Sequence, residues 1–299
     1  NEESKLSLKV MADFTEKNSE RFEILATNNE NEIQKLTISA IEEADSSQED
    51  ADLIAKVISS ANEEIANKVV SEVIKNSDDD KLALSAKVMK SIIDTDPNKI
   101  ESLSSENKNT MITRTIEATT KQVENDLDDG DIDLSTIVSK IVINSNEDTA
   151  AKVLETLNNQ AKETDSNVSL KVFVSLTKEA NFEDKLKDIS KQSSISENIV
   201  EEMIEKSIDD INDDNDLTLI KDIIKNSDDF LTKKIIDIDK KINNKNQLKI
   251  DNIFDKIIKE DPIKAKEIIE EEKEIIKEPI KPKKIKKIKD VIDTNISPN

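Results

Sequence analysis

The sequence predicts an all-α fold: an α-solenoid of alternating three-helix and two-helix units, ending in a disordered basic C-terminal tail. Three observations carry this. First, the chain repeats itself imperfectly about every 80 residues. Ser59-Ser60-Ala61-Asn62-Glu63-Glu64, followed by Lys68-Val69-Val70, returns 84 positions later as Ile143-Asn144-Ser145-Asn146-Glu147-Asp148 with Lys152-Val153-Leu154, and again as Lys225-Asn226-Ser227-Asp228-Asp229 with Lys234-Ile235-Ile236. Second, apolar residues recur at helical spacing, as in Leu53, Ile54, Val57, Ile58 and in Ile65, Val69, Val70, Val73, where a half-buried strand would alternate. Third, the chain has one glycine, so the tight corners of a β-solenoid cannot be built at every coil.

In chain order, three-helix units are predicted over residues 4–48, 81–127 and 168–210, and two-helix units over 50–77, 133–163 and 217–244. The super-repeats thus run 4–77, 81–163 and 168–244, and a final hairpin at 247–276 completes a solenoid over 1–276. In the first two long units Leu6, Val10, Met11, Phe14, Phe22 and Leu25 match Leu84, Val88, Met89, Ile92, Ile100 and Leu103 at a constant offset of 78. The third long unit keeps only the first helix in register: Leu170, Val172, Phe173 and Leu176 match Leu8, Val10, Met11 and Phe14 at an offset of 162. Asn62, Asn146 and Asp228 are expected N-caps, each followed by acidic residues that suit the positive end of a helix. Asp96-Pro97 and Asp261-Pro262 are expected to open helices with proline at the first helical position, where its missing N–H is harmless. The whole reads as a right-handed stack of about 16 to 18 helices, each hairpin stable only against its neighbours.

Composition narrows function by exclusion. The chain has no Cys, His, Trp or Tyr and only Gly130 as glycine. The commonest acid–base and metal-binding side chain is therefore missing, thiol chemistry is out, and no glycine-rich phosphate loop can form. A paired-carboxylate glycosidase has acids to draw on, but six Phe and no other aromatic give a poor sugar platform. No enzymatic activity and no cofactor are expected. The chain carries a formal charge of −22 over 299 residues, which argues against nucleic acid or anionic lipid as ligand of the body. Ile, Leu, Val and Phe stand well above the roughly 20% below which chains of this charge stay disordered. There is no run of 18 apolar residues and no N-terminal signal pattern; the chain opens at Asn1, which reads as a piece of a longer or processed protein.

Three sets of residues are candidate sites. Asp126, Asp128, Asp129, Asp131 and Asp133 surround Gly130 in the best of the acidic junction loops, and a hard cation such as calcium is the one it would suit. The spacing departs from the EF-hand pattern by one residue and lacks its bidentate Glu, and a solvated loop is the alternative. Arg21, Arg114, Phe182 and Phe230 are the least repeat-like large residues and the expected partner contacts on a concave face, with core packing as the alternative for both Phe. From Lys277 to Lys289 seven lysines, among them Lys281, Lys283, Lys284, Lys286, Lys287 and Lys289, face Glu278 alone, a net +6 against −28 for the rest. This tail, residues 277–299, could hold anionic lipid or another polyanion, fold onto the acidic body, or stay solvated. The recurring lysines Lys56, Lys140, Lys221 and Lys68, Lys152, Lys234 would form rows able to grip an acidic partner; the plainer expectation is i to i+4 pairing of Glu64 with Lys68 and Asp148 with Lys152.

At this level the chain resembles α-solenoids of degenerate helical hairpins such as HEAT-like repeats. Its final hairpin, Glu260-Asp261-Pro262-Ile263-Lys264-Ala265-Lys266-Glu267-Ile268-Ile269, is similar to the acidic helical repeats in the cytoplasmic N-domain of bacterial MgtE-type magnesium transporters. The whole is similar to acidic helical repeat regions of bacterial FecR-domain surface proteins. These resemblances imply helical hairpins and carry no functional residues across. The bias to Ile, Lys, Asn and Asp suits an AT-rich bacterial genome. Two functions are therefore expected: a protein-interaction scaffold with a protein partner and the capacity to associate end to end, or a spacer in a bacterial surface or secreted protein, stiffened by cations at its acidic junctions.

Overall fold

The computed structural model describes residues 2–28, 30–42, 44, 47–77, 81–124, 133–164, 167–192, 194–209 and 214–227, with single positions among 231–238 and at 257. Among these residues it contains fourteen α-helices and no strand. The first three-helix unit is α1 (Glu2–Lys17), α2 (Ser19–Asn28) and α3 (Glu30–Glu42), and its two-helix partner is α4 (Gln48–Ser60) and α5 (Glu63–Asn76). The same order returns as α6 (Leu82–Thr95), α7 (Asn98–Ser102), α8 (Ser105–Glu124), α9 (Leu134–Asn144) and α10 (Glu147–Thr164). It begins a third time with α11 (Val168–Leu176), α12 (Phe182–Gln192), α13 (Ser194–Asp209) and α14 (Asp214–Asn226). The rest of the third two-helix unit, the hairpin 247–276 and the tail, Ile257 and a few other positions apart, lie outside the described residues, as does the N-cap expected at Asp228.

The helix starts follow local chemistry. Asn62 Oδ1 accepts the Ile65 N–H at 2.9 Å and Asn146 Oδ1 accepts the Thr149 N–H at 2.8 Å, so both expected caps are in place. Ser47 caps α4 by accepting from Asp50 N at 3.2 Å. At the head of α7, Pro97 already has helical angles (φ −60°, ψ −27°), and Asp96 Oδ1 accepts the Asn98 N–H at 3.2 Å. The turn between α11 and α12 needs a left-handed residue, and Asn181 (φ 64°) takes the role glycine usually fills.

The chain divides into two compact units, Asn1–Met203 and Ile204–Asn299, the division falling within α13. Inside the first unit the helices form two rows. One row runs α1, α4, α6, α9, α11 and the other α3, α5, α8, α10, α12, each helix packed on the next in its row. Cross-contacts α1 to α3, α4 to α5, α6 to α8 and α9 to α10 join the rows. The core between them is aliphatic: Ile54, Ile58, Leu84, Met89, Ile92, Ile112, Ile116 and Ile137 are all fully buried. Buried threonines of α8 return their hydroxyls to their own helix, Thr115 to Met111 O at 2.8 Å and Thr119 to Thr115 O at 2.7 Å, so they enter the core without unpaired donors. In the second unit Ile208, Ile220, Ile223, Ile224, Leu231, Ile235, Ile238 and Ile257 are buried.

The third repeat departs from the second where the sequence register slips. There α12 has eleven residues against five in α7, and it packs on α10. Phe182 opens that longer helix and closes its ring edge-on against Phe173, centroids 5.8 Å apart.

Candidate interaction surface

The first helix of each long unit carries a stripe at positions i, i+4 and i+7: Leu6, Val10, Asp13 on α1; Leu84, Val88, Ser91 on α6; Val168, Val172, Ser175 on α11. On α6 and α11 this stripe is the flank that meets the preceding two-helix unit. Ser91 Oγ donates to Asp52 Oδ1 at 2.6 Å and accepts from Gln48 Nε2 at 2.9 Å, tying α6 to α4. Ser175 and Ser135 hydroxyls meet at 2.9 Å, and Ser139 Oγ donates to Val172 O at 3.3 Å, tying α11 to α9. Leu84, Val88, Val168 and Val172 are accordingly 0% exposed. On α1 the same flank is bare: Leu6 is 60% and Val10 58% exposed, and Asp13 is exposed as well. Ile24 and Leu25 on α2 and Leu36 on α3 are exposed too, and these five are the large apolar side chains exposed among the described residues. Such side chains are costly to leave in water when clustered, and clusters mark interfaces.

The other flank is closed by charge. Lys56 Nζ meets Glu16 at 2.7 Å, linking α4 to α1, and Lys140 Nζ meets Asp94 at 2.9 Å, linking α9 to α6. Glu16 and Asp94 are themselves equivalent at the offset of 78, so the first lysine row is a repeated staple between adjacent helices. Burial pushes the Asp94 carboxyl up, but hydrogen bonds from Lys90 and Lys140 outweigh it and hold it below the usual 3.8. A second repeated lysine clamps helix ends: Lys99 donates to Ala61 O at 2.5 Å and Lys185 to Ser145 O, each capping the carbonyl end of the preceding unit's first helix. Glu101 works from the opposite side, accepting from Asn146 N at 2.9 Å, Thr149 Oγ1 at 3.0 Å and Lys108 Nζ at 2.9 Å. Burial raises its pKa, and these three donors together bring it below the usual 4.5.

The sequence-predicted site residues are dispersed. Asp133 is the N-cap of α9, its carboxylate accepting from Ser135 N at 3.0 Å and from Thr136 Oγ1 at 3.1 Å. Asp126, Asp128, Asp129 and Asp131 lie outside the described residues, and no cluster of three potential metal ligands occurs among those described. Arg21 is exposed on α2, near the apolar patch in sequence, while Arg114 is half-buried and paired with Glu117 at 3.0 Å. Phe182 is 3% exposed, so its ring belongs to the core, where Phe173 holds it. Phe230, Lys281, Lys283, Lys284, Lys286, Lys287 and Lys289 lie outside the described residues. Of the i to i+4 pairs, Glu64 to Lys68 forms at 3.0 Å, but Lys152 turns to Glu155 at 2.8 Å instead of Asp148; the position equivalent to Glu155 on α5 is Ser71, which offers Lys68 no competing carboxylate.

The bare flank itself was missed. Leu6, Val10 and Leu25 are spelled like the buried residues of the next repeat, and their spacing alone does not distinguish them. Comparison of this chain with family models, with curated proteins and with solved structures finds no match. No helix among the described residues is long and apolar enough to cross a membrane.

Proposed function

We propose that the chain is a non-enzymatic α-solenoid that acts as a protein-interaction scaffold and that binds through the bare flank of its first repeat. The observation that carries this reading is the contrast at one repeated position, Val10 at 58% exposed against Val88 and Val172 at 0%. A flank that is an interface in two repeats has the shape and chemistry of an interface in the first. The rest of the described surface has no other exposed large apolar side chains beyond those on α1, α2 and α3, and part of its charge is paired in staples such as Lys56 with Glu16. The basic tail is proposed as a secondary contact for anionic lipid or another polyanion, and the acidic body as a poor ligand for nucleic acid.

The test is affinity capture at physiological salt with the full chain and its Val10→Asp variant as paired baits. A protein retained stoichiometrically by the first and lost by the second supports the scaffold. Equal retention, or none, favours the second reading: a spacer of a bacterial surface or secreted protein. That reading draws on the charge staples that recur from repeat to repeat, which suit a stiff acidic rod.

A further inference from the structure

Resting on the scaffold reading, we infer that the occupant of the bare flank is an amphipathic α-helix of a partner protein, seated on Leu6 and Val10 with its C-terminal carbonyl held by Arg21 and a hydrogen-bond donor set against Asp13. The two described junctions that use the same flank show what fits it. On α6 and α11 the stripe receives one helix, α4 or α9, and that helix is tied at two places. Near its start a polar side chain meets the stripe's last position, Asp52 with Ser91 in one junction and Ser135 with Ser175 in the other. At its end the C-cap carbonyl is gripped by a lysine, Ala61 O by Lys99 and Ser145 O by Lys185. Ala61 and Ser145 share one extended conformation (φ −84°, ψ 158° and φ −87°, ψ 166°), so the two carbonyls are presented alike.

Arg21 is the first repeat's counterpart of that lysine. It matches Lys99 at the offset of 78, and the residue that follows it is buried in all three repeats: Phe22 at 3%, Ile100 at 1% and Leu186 at 0% exposed. Arg21, Lys99 and Lys185 all stand in the first turn of their helices, where a cation opposes the helix's own dipole. The carbonyl end of a second helix accounts for a cation there, because that end attracts positive charge. Lys99 and Lys185 are half-buried in this contact, and Arg21 is exposed. The first repeat thus leaves open both halves of one seat, the apolar stripe and the carbonyl clamp. The planar fork of a guanidinium suits the several carbonyls that a last helical turn leaves unpaired.

Asp13 sets the remaining requirement. It is exposed, with Lys17 at 3.1 Å, and stands where α6 has Ser91 and α11 has Ser175. Ser91 donates to a carboxylate, whereas an ionised Asp13 can only accept, so the partner helix brings a hydroxyl, an amide or a cation to that place. With the chain at −22, a helix of neutral or positive charge meets the least repulsion.

The segment of α9 meets these requirements, with Ser135 as the donor and Asp133 balanced by Lys140, and it supplies the probe. Isothermal titration calorimetry uses an amidated peptide of residues 133–146, held helical by a staple between positions 136 and 143, and the full chain. Saturable one-to-one binding is expected at or below about 100 μM. Val10→Asp should abolish it. Arg21→Ala should weaken it about tenfold, as for a lost charge-assisted hydrogen bond, and Arg21→Lys should recover most of the loss. The corresponding α4 peptide, residues 47–62, should bind more weakly than its Asp52→Asn form, and Asp13→Ser in the chain should reverse that order. Thermal melts of the chain variants should nearly coincide, which separates a lost contact from a lost fold. No saturable binding of the stapled helix, or binding indifferent to Val10→Asp or to Arg21→Ala, overturns the inference. Val10-dependent self-association of the chain alone, by sedimentation velocity, would make the occupant a second copy and overturn it too. A protein captured in a Val10-dependent manner but held equally by Arg21→Ala would overturn it alone and leave the scaffold reading intact.

Discussion

Glu101 joins two repeats with one carboxylate, and its chemistry sets how the junctions respond to acid. Replacing it by Gln keeps the shape but removes the ion pair with Lys108 and weakens the bonds to Asn146 N and Thr149 Oγ1. The expected loss is about 1–2 kcal/mol in urea unfolding at pH 7. Asp94, Glu101, Glu147 and Glu202 are all held below their ordinary values. For Glu147 the leading cause is a backbone N–H, followed by Lys185; for Glu202 it is the hydrogen bond from Lys162. A carboxyl whose pKa is lower folded than unfolded contributes stability that is full above its unfolded value and is lost as pH falls through its folded one. All four sit at contacts between helices of different units, so stability should be flat from pH 7 to about 5 and decline below about pH 4.5, the ordinary Glu value. Urea midpoints at pH 6, 5, 4 and 3 check this, and Glu101→Gln should shallow the acid limb.

At the scale of elements, each helix start is a local decision, and this is why so much of it was readable. Asn62 and Asn146 cap α5 and α10 through atoms three residues away, which a sequence displays directly. Asn62→Ala and Asn146→Ala should each cost about 1 kcal/mol by chemical denaturation, because each leaves a helix N–H without its acceptor. The order of three-helix and two-helix units was equally legible, since a 3.6-residue apolar period and repeated offsets are properties of the string. What the string hid depends on residues 40 or so apart. The lysine row at Lys56 and Lys140 was visible, but its partners Glu16 and Asp94 become evident only when α1 lies beside α4 and α6 beside α9. Phe182 stood out as non-repetitive because it packs in a helix that is itself longer than its counterpart, so the anomaly marked a change of core and not of surface.

Over the described two-row stack, substantial packing joins helices no more than three apart in chain order, from α1 with α4 to α8 with α11. Stability should then be nearly additive along the rows, with no unit stable alone. A peptide of residues 133–164, holding only α9 and α10, should be weakly helical and melt without a cooperative transition, as followed by circular dichroism. Its apolar faces, among them Ile137, Ile141, Val153 and Leu157, are buried in the chain and would all be in water. The same logic places the functional surface. Periodicity identified Leu6 and Val10 as members of the core pattern, and it had no means to say that on α1 they are exposed. Differences of this kind are invisible to any argument from local spacing and become visible when exposures at equivalent positions are compared.

The most direct measurement of that contrast is urea unfolding of Val10→Asp, Val88→Asp and Val172→Asp, side by side in dilute full-length chain. A bare flank predicts that Val10→Asp stays within about 0.5 kcal/mol of the parent, whereas Val88→Asp and Val172→Asp each lose about 4 kcal/mol or more by burying a charge. Equal losses at all three positions would mean that the first repeat's flank is covered like the others, and the account of an open interface would be wrong.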